Sequence, residues 1–290
     1  MARRSEGPLV SVIVPTYNRP GTLVESLRSI QDQTYPYIEI IVINDGGVEI
    51  EDVLPRSDRG KKITYIKHSG NKGLPAARNS GIQAARGKYI AYLDDDDRYY
   101  PEHVEILVNH MASNDCRVAY TDACRVHQEQ LGGKYIIRKR DVPHSVDFDP
   151  DRILLCNYIP VLCMMHERAC LDQAGCFDEK LTSFEDWDLW IRMSRFYQFC
   201  HIRKVTCEYS WRHDATSMTS QRRVDYVRNL KLIHDRYKSL ASDSPGLLLA
   251  QRKIIKKQEL LVEGWITIDR LSRMLGNRFM FLQALKRYLV

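Results

Sequence analysis

The sequence predicts an α/β fold built on a mostly parallel sheet with helices on both faces. Three observations carry this expectation. Residues 9–15 (LVSVIVP) and 37–44 (YIEIIVIN) are short, nearly continuous apolar runs rich in β-branched residues, the pattern of strands buried on both faces. Residues 21–33, between them, carry Leu23, Leu27 and Ile30 at helical spacing, which completes a βαβ unit. The alternation then repeats, with a strand over 63–68, a helix over 75–85 and a strand over 89–93. Pro15 stops the first strand, Asp45-Gly46-Gly47 turns the chain after the second, and the fourth runs into four consecutive aspartates.

In open sheets of this kind ligands bind beyond the carboxyl ends of the strands. The residues there are Thr16-Tyr17-Asn18-Arg19, Asp45, and the aspartates 94, 95, 96 and 97, so topology localises a site. Beyond Tyr120 the pattern is irregular, with a hairpin expected around Gly132-Gly133, helices over about 150–155 and 167–174, and an amphipathic segment over 185–196. The expected organisation is one domain over 1–240, with halves 8–120 and 121–240. A turn-rich linker at 239–246 (SLASDSPG) and a largely helical tail over 246–290 follow.

The 290 residues are 44% hydrophobic and 28% charged, enough apolar content to bury a sizeable core. Gly and Pro are at ordinary usage and nothing repeats at a period of roughly 20–50 residues, which excludes collagen-like, solenoid and wholly disordered chains. No apolar run reaches about 18 residues and the N-terminus is charged, so neither a membrane span nor a signal peptide is expected, and the expected location is cytoplasmic. The eight cysteines include no Cys-x-x-Cys pair, and Cys156, Cys163, Cys170 and Cys176 stand among Leu, Val, Met and Ala. They are expected to pack as reduced thiols rather than to hold zinc or form disulfides. The net charge of +6 resides in residues 246–290, where nine Lys or Arg face three acids; the neutral remainder is not expected to bind nucleic acid.

Four carboxylates at one strand end repel one another and call for a compensating cation. A hard divalent ion, Mg2+ or Mn2+, takes oxygen ligands, and Mg2+ is commonly held by one or two protein carboxylates together with substrate phosphates. The alternative is a solvated acidic loop in which Asp97 caps a helix starting at Pro101.

With these segments in place, the chain resembles the inverting family 2 glycosyltransferases of GT-A fold over most of residues 8–220. The stretches that carry the resemblance are VSVIVPTYNRP from Val10, IEIIVINDGG from Ile38, NKGLPAARNSGI from Asn71, GKYIAYLDDDDRYYPEHVE from Gly87 and FEDWDLWIRM from Phe184, in the family's order. The resemblance implies transfer of a sugar from a nucleotide-diphosphate donor, a UDP-sugar favoured, to a hydroxyl of a saccharide or lipid-linked acceptor, as in surface polysaccharide or glycolipid synthesis. It implies that Pro15, Thr16, Tyr17 and Asn18 cradle the ribose and base, that Asp45 contacts the base, that Arg78 meets the nucleotide, and that Asp94 and Asp95 belong to the donor site. On the family's Asp-x-Asp motif, Asp96 is the direct ligand of Mn2+ or Mg2+ and Asp94 contacts the ribose or the metal; the four-Asp run leaves the register open. Residues 211–217 (WRHDATS) resemble the segment that closes over the diphosphate, with His213 as a further metal or phosphate contact.

Glycosyl transfer needs a base, because the incoming hydroxyl loses its proton as it bonds to the anomeric carbon. The resemblance makes Asp186 that base and Glu185 an acceptor-binding neighbour, and crowding with Asp188 is expected to raise a carboxyl pKa there. The alternative is three acids that merely favour a helix N-terminus through its dipole. Trp187 and Trp190 flank the pair, as an apolar platform for an acceptor sugar or as core.

The 246–290 tail mixes Leu, Ile, Trp and Phe with its bases, which suits an amphipathic helix lying on an anionic membrane, or a helix packed on the catalytic domain or on a second copy of the chain. Peripheral association with the inner face of a membrane stays open. A nicotinamide dehydrogenase lacks support, since residues 15–21 hold no Gly-x-Gly-x-x-Gly. PTYNRPG likewise lacks the glycine-rich basic loop of a sugar nucleotidyltransferase. A non-catalytic sugar-nucleotide-binding scaffold remains as an alternative; it predicts loss of the aspartates or of Glu185-Asp186, and all are present.

Overall fold

The computed structural model describes residues 7–54, 61–212 and 223–274. Strands β1 (Val10–Thr16), β2 (Ile38–Asn44), β3 (Lys62–Lys67) and β4 (Tyr89–Tyr92) are the four expected from the sequence, and α1 (Pro20–Gln31) and α2 (Leu74–Ala84) are the expected helices between them. The strands pair in parallel in the order β3-β2-β1-β4, with Val10 opposite both Ile38 and Tyr89. β1, β2 and β4 are buried along their whole length, which is why their sequences show no polar alternation. α1 opens on Pro20, whose missing N–H is harmless in a first turn, and turns Leu23, Leu27 and Ile30 into the core.

After β4 come β5 (Arg98–Tyr99), α3 (His103–Ser113), β6 (Val118–Leu131), β7 (Lys134–Asp141), β8 (Met164–Glu167), α4 (Leu171–Ala174), α5 (Glu185–Ser194) and β9 (Phe199–Arg212). From β4 the sheet continues through β8, β6, β9 and β5, with β8 antiparallel to β4 and to β6, and β9 antiparallel to β5. The sheet is therefore mixed, a parallel half from the N-terminal residues joined to an antiparallel half. The expected hairpin at Gly132-Gly133 joins β6 to β7, both glycines at positive φ. The helix expected over 150–155 is a single 3-10 turn, Arg152–Leu154. The one expected over 167–174 divides into a 3-10 turn, Arg168–Cys170, and the one-turn α4.

Helices α6 (Arg223–Arg236), α7 (Lys238–Ala241) and α8 (Pro245–Met274) complete the described chain. Two compact units result. One comprises residues 1–126, 140–153 and 157–210; the other comprises 127–139, 154–156 and 211–290, so α8 shares its unit with α6, α7 and the tip of a hairpin rather than standing alone as a tail. Among the described residues no helix is long and apolar enough to cross a membrane. Cys116 and Cys200 form a disulfide between the turn after α3 and the start of β9, which corrects the expectation of reduced thiols throughout. Cys163 and Cys170 are free and buried as expected, whereas Cys176 is exposed.

Candidate active site

β1 has β2 on one side and β4 on the other, so the strand order reverses there, and the crevice beyond the carboxyl ends of β1 and β4 is where such sheets bind ligands. After β4 the chain makes a tight turn, the Asp97 N–H donating to the Asp94 carbonyl at 3.1 Å. Asp95 points inward. It is 5% exposed, and its carboxylate accepts from the Thr16 hydroxyl at 2.7 Å and the Arg19 guanidinium at 3.3 Å. Burial raises its pKa to about 6 against the pull of the Thr16 hydrogen bond. Asp94 and Asp96 keep their side chains partly open, at 29% and 18%. Asp97 caps no helix: its carboxylate accepts the Ser210 N–H near the end of β9, while α3 begins at His103. Burial, then Asp96 and Asp94, push the Asp97 carboxyl well above its usual range.

Arg78, from α2, ties this turn to α5. Only 1% exposed, it donates from Nη2 to Asp94 at 2.7 Å and from Nη1 to Glu185 at 2.5 Å. Burial opposes its charge, but Asp94, Glu185 and Asp186 outweigh that and hold its pKa above the ordinary arginine value. The guanidinium of Arg78, expected to meet the nucleotide, lies inside the protein between two carboxylates.

Phe184 adopts φ +65°, a left-handed conformation that bulky residues rarely take, and leads directly into α5. Glu185 and Asp186 occupy the first turn. Asp186 accepts from Nδ2 of Asn157 at 2.9 Å and from the Trp187 N–H at 2.8 Å. The residue as a whole is half-buried. Burial, then repulsion from Glu185, raise the Asp186 pKa to about 7, with Arg78 opposing. Asp188 stands apart, buried and paired with Arg192 one turn on at 2.8 Å. Trp187 and Trp190 are 0% exposed, and their indole N–H groups donate to the carbonyls of Ile153 and Ile159 at 2.5 and 3.2 Å. The acceptor platform expected from them is corrected, since both are core residues whose polar edges are satisfied by backbone.

On the β1 side, Pro15 and Thr16 are buried opposite Ile43 and Asn44, and Tyr17 is exposed. Asn18 sits at φ +57° with its Oδ1 accepting the Val48 N–H at 2.9 Å. Asp45 is 4% exposed and accepts the N–H groups of Lys72 and Gly73 at 2.9 and 2.8 Å, with His68 Nδ1 at 2.7 Å. Most of its hydrogen-bonding capacity thus braces the loop entering α2. Gly46 is at φ +74°, where a Cβ would fall 2.4 Å from the Gly70 carbonyl carbon, so the Asp-Gly pair is a genuine turn as well. His213 lies outside the described residues.

His68 and Asn157 were not among the expected site residues, and Arg19 was singled out only by its place at a strand end, without a role. Nothing in the sequence marks Asn157, which falls in an irregular stretch between two short turns. In this structure Arg19 and Arg78 supply the positive charge that the acidic turn requires. Among the described residues no three His, Cys, Asp or Glu side chains converge as a metal cage. The hard oxygens of Asp94 and Asp96 fit Mg2+ or Mn2+ jointly with the phosphate oxygens of a ligand, the usual arrangement for Mg2+.

Residues 11–171, more than half of the chain, match the family described as Glycosyl transferase family 2. The chain belongs to that family. The chain is 35% identical over 209 residues to a Rickettsia bellii protein described as an uncharacterized glycosyltransferase; the aligned region is 72% of this chain and 29% of that protein, so the chain spans less than a third of this relative. Residues 1–349 of S. aureus TarS, in complex with UDP-GlcNAc, superpose with a TM-score of 0.60 at 20% identity, covering 78% of this chain and 65% of that chain. The mannosyltransferase PcManGT from Pyrobaculum calidifontis, in complex with GDP-Man and Mn2+, gives 0.61 at 15% identity, covering 98% and 85%. At these identities the likeness is one of fold, and the fold is the GT-A fold that the sequence led us to expect. Glu185 and Asp186 lie beyond the matched residues.

Proposed function

We propose that the glycosyltransferase moves a sugar, with inversion, from a nucleotide-diphosphate donor to a hydroxyl of a saccharide or lipid-linked acceptor in surface-glycan synthesis, a UDP-sugar being the favoured donor. The observation that carries this reading is the Arg78 bridge, which brings Asp94 and Glu185 to one guanidinium although they are distant in sequence. That proximity supports reading the turn after β4 as the donor end and the start of α5 as the acceptor end of one site. Thr16, Tyr17 and Asn18 line the nucleotide side. Asp96 and Asp94 would hold a Mn2+ or Mg2+ ion, whose chemistry when bound is to neutralise charge developing on the leaving diphosphate. Asp186 takes the proton from the acceptor hydroxyl, and Asn157 and the Trp187 N–H hold its carboxylate in place for that transfer. The UDP-GlcNAc and GDP-Man complexes of the two structural relatives support a nucleotide-sugar donor, and the Mn2+ of the second supports the metal.

The test is thermal unfolding with UDP, dTDP, GDP or CMP, each with Mn2+ and with chelator. A diphosphate at about 100 times its dissociation constant adds about 2.7 kcal/mol to the folded state. The expected result is stabilisation by UDP that disappears with chelator and in Asp96→Ala. Stabilisation by no nucleotide would overturn the donor assignment, and an unchanged affinity in Asp96→Ala would overturn the metal register.

A base works only when deprotonated, so the raised Asp186 pKa of about 7 predicts that kcat/KM falls about tenfold per pH unit below 7 and levels off above it. Stability moves the opposite way. The ordinary value for this group is 3.8 and the folded value is about 7, so the folded state holds the extra proton between them. The resulting stabilisation is present in full below about pH 4 and is lost as pH rises through 7. Urea unfolding at a series of pH values, comparing the native protein with Asp186→Asn, isolates this contribution; a parallel pair of curves would remove it.

A further inference from the structure

Helix α8 divides its residues sharply between two faces. On one, Leu247 and Gln251 are buried, and Gln251 donates to the Leu154 carbonyl at 2.9 Å within the same unit. On the opposite face, at the three- and four-residue spacing of one helical stripe, stand Leu249, Arg252, Lys253, Lys256, Lys257 and Leu260, all exposed. Leu249 and Leu260 are 53% and 59% exposed, and they lie along the middle of the stripe with the four cations on either side. Glu263 is the acid that continues the same face, and Glu259 on its flank is neutralised by Lys231 of α6. The packing of the helix within its own unit therefore leaves unexplained why this stripe is both cationic and apolar.

We infer that this stripe is a docking surface for an anionic lipid bilayer. The arrangement suits a helix lying flat in the headgroup region, the leucines reaching the acyl boundary and the long basic side chains extending outward to phosphates. Charge complementarity selects this occupant. A second copy of the chain docked through the same stripe would set four cations against four, and a nucleic acid would leave two exposed leucines without the aromatic neighbours on which bases stack. Such docking goes beyond the transfer reaction and would hold the enzyme at the surface where a lipid-linked acceptor resides.

Each Lys or Arg near an anionic surface strengthens partition about fivefold, and the effect is screened by salt. The test is flotation of the full chain with vesicles of phosphatidylcholine alone or with about one-third phosphatidylglycerol, in about 0.1 M and about 1 M salt. The expected result is binding to the anionic vesicles at low salt. The quadruple variant Arg252→Gln, Lys253→Gln, Lys256→Gln, Lys257→Gln should then lose roughly several-hundred-fold in partition. Leu249→Ser with Leu260→Ser should weaken binding at both salt concentrations. All six positions are exposed, so the circular dichroism and the nucleotide-dependent thermal shift should be unchanged, which separates failure of docking from failure of the donor site. Equal binding to neutral vesicles, no binding to anionic ones, undiminished binding of the quadruple variant, or binding to transfer RNA in place of vesicles would each overturn the inference.

Discussion

Asp186→Asn is expected to lower the rate of sugar transfer by about 10²–10⁴-fold, the contribution of a positioned general base, while leaving donor affinity unchanged. The amide matches the carboxylate in shape but cannot accept a proton at neutral pH. Nor can it reproduce both local contacts: Asp186 accepts from Asn157 through one oxygen and from the Trp187 N–H through the other, and an amide offers only one oxygen. The local loss is offset in part because a buried negative charge is removed. The measurement is single-turnover transfer beside nucleotide binding by calorimetry. Transfer at the native rate would take Asp186 out of the mechanism, and a parallel loss of donor affinity would turn it into a residue that shapes the donor site.

Arg78→Leu is expected to have the largest effect on stability, about 3–5 kcal/mol, because it strands carboxylates whose partner has been removed. The effect should lie toward the lower end, since the Asp94 side chain is 29% exposed and water can solvate it, whereas Glu185 at 8% has less recourse. Urea denaturation with an unchanged m-value reads the loss. Arg78→Lys should recover part of it, as an ammonium keeps the charge but lacks the planar fork that reaches two acids at once. A leucine variant as stable as the native protein would show that the two carboxylates relax into solvent, and that the bridge does not hold the halves of the site together.

The parallel half of the sheet was legible because β1, β2 and β4 are buried on both faces and so read as continuous apolar runs. The antiparallel half was legible only at the Gly132-Gly133 hairpin between β6 and β7. β6 reads VAYTDACRVHQEQL, buried over its first half and open over its second, and its partner β8 is a four-residue strand that propensity alone cannot separate from the turn after it. The same locality limits the site. Carboxylates at strand and helix ends announce themselves, so the acidic turn and Glu185-Asp186 stand out in the sequence. What a side chain faces is decided by packing between distant segments. Hence an arginine that looked free to meet a ligand is enclosed by two acids, and two tryptophans that looked like a sugar platform are core. The disulfide was illegible for that reason too, its cysteines being 84 residues apart in the chain.

The order of strands in the sheet also sets a timetable for synthesis. β4 finds β1 among residues already made, but its other edge is closed by β8, whose first residue, Met164, follows Tyr92 by seventy-two positions. At roughly 5–20 residues per second a ribosome takes roughly 4–14 s to cover that interval. Throughout it the nascent chain carries the edge of Tyr89, Ile90, Ala91 and Tyr92, apolar and unpaired, which is the kind of edge that recruits other chains. Until β8 is made, nothing in the chain closes the second edge of β4, and a charge or a proline there would disrupt the finished sheet, so the exposure comes with this strand order.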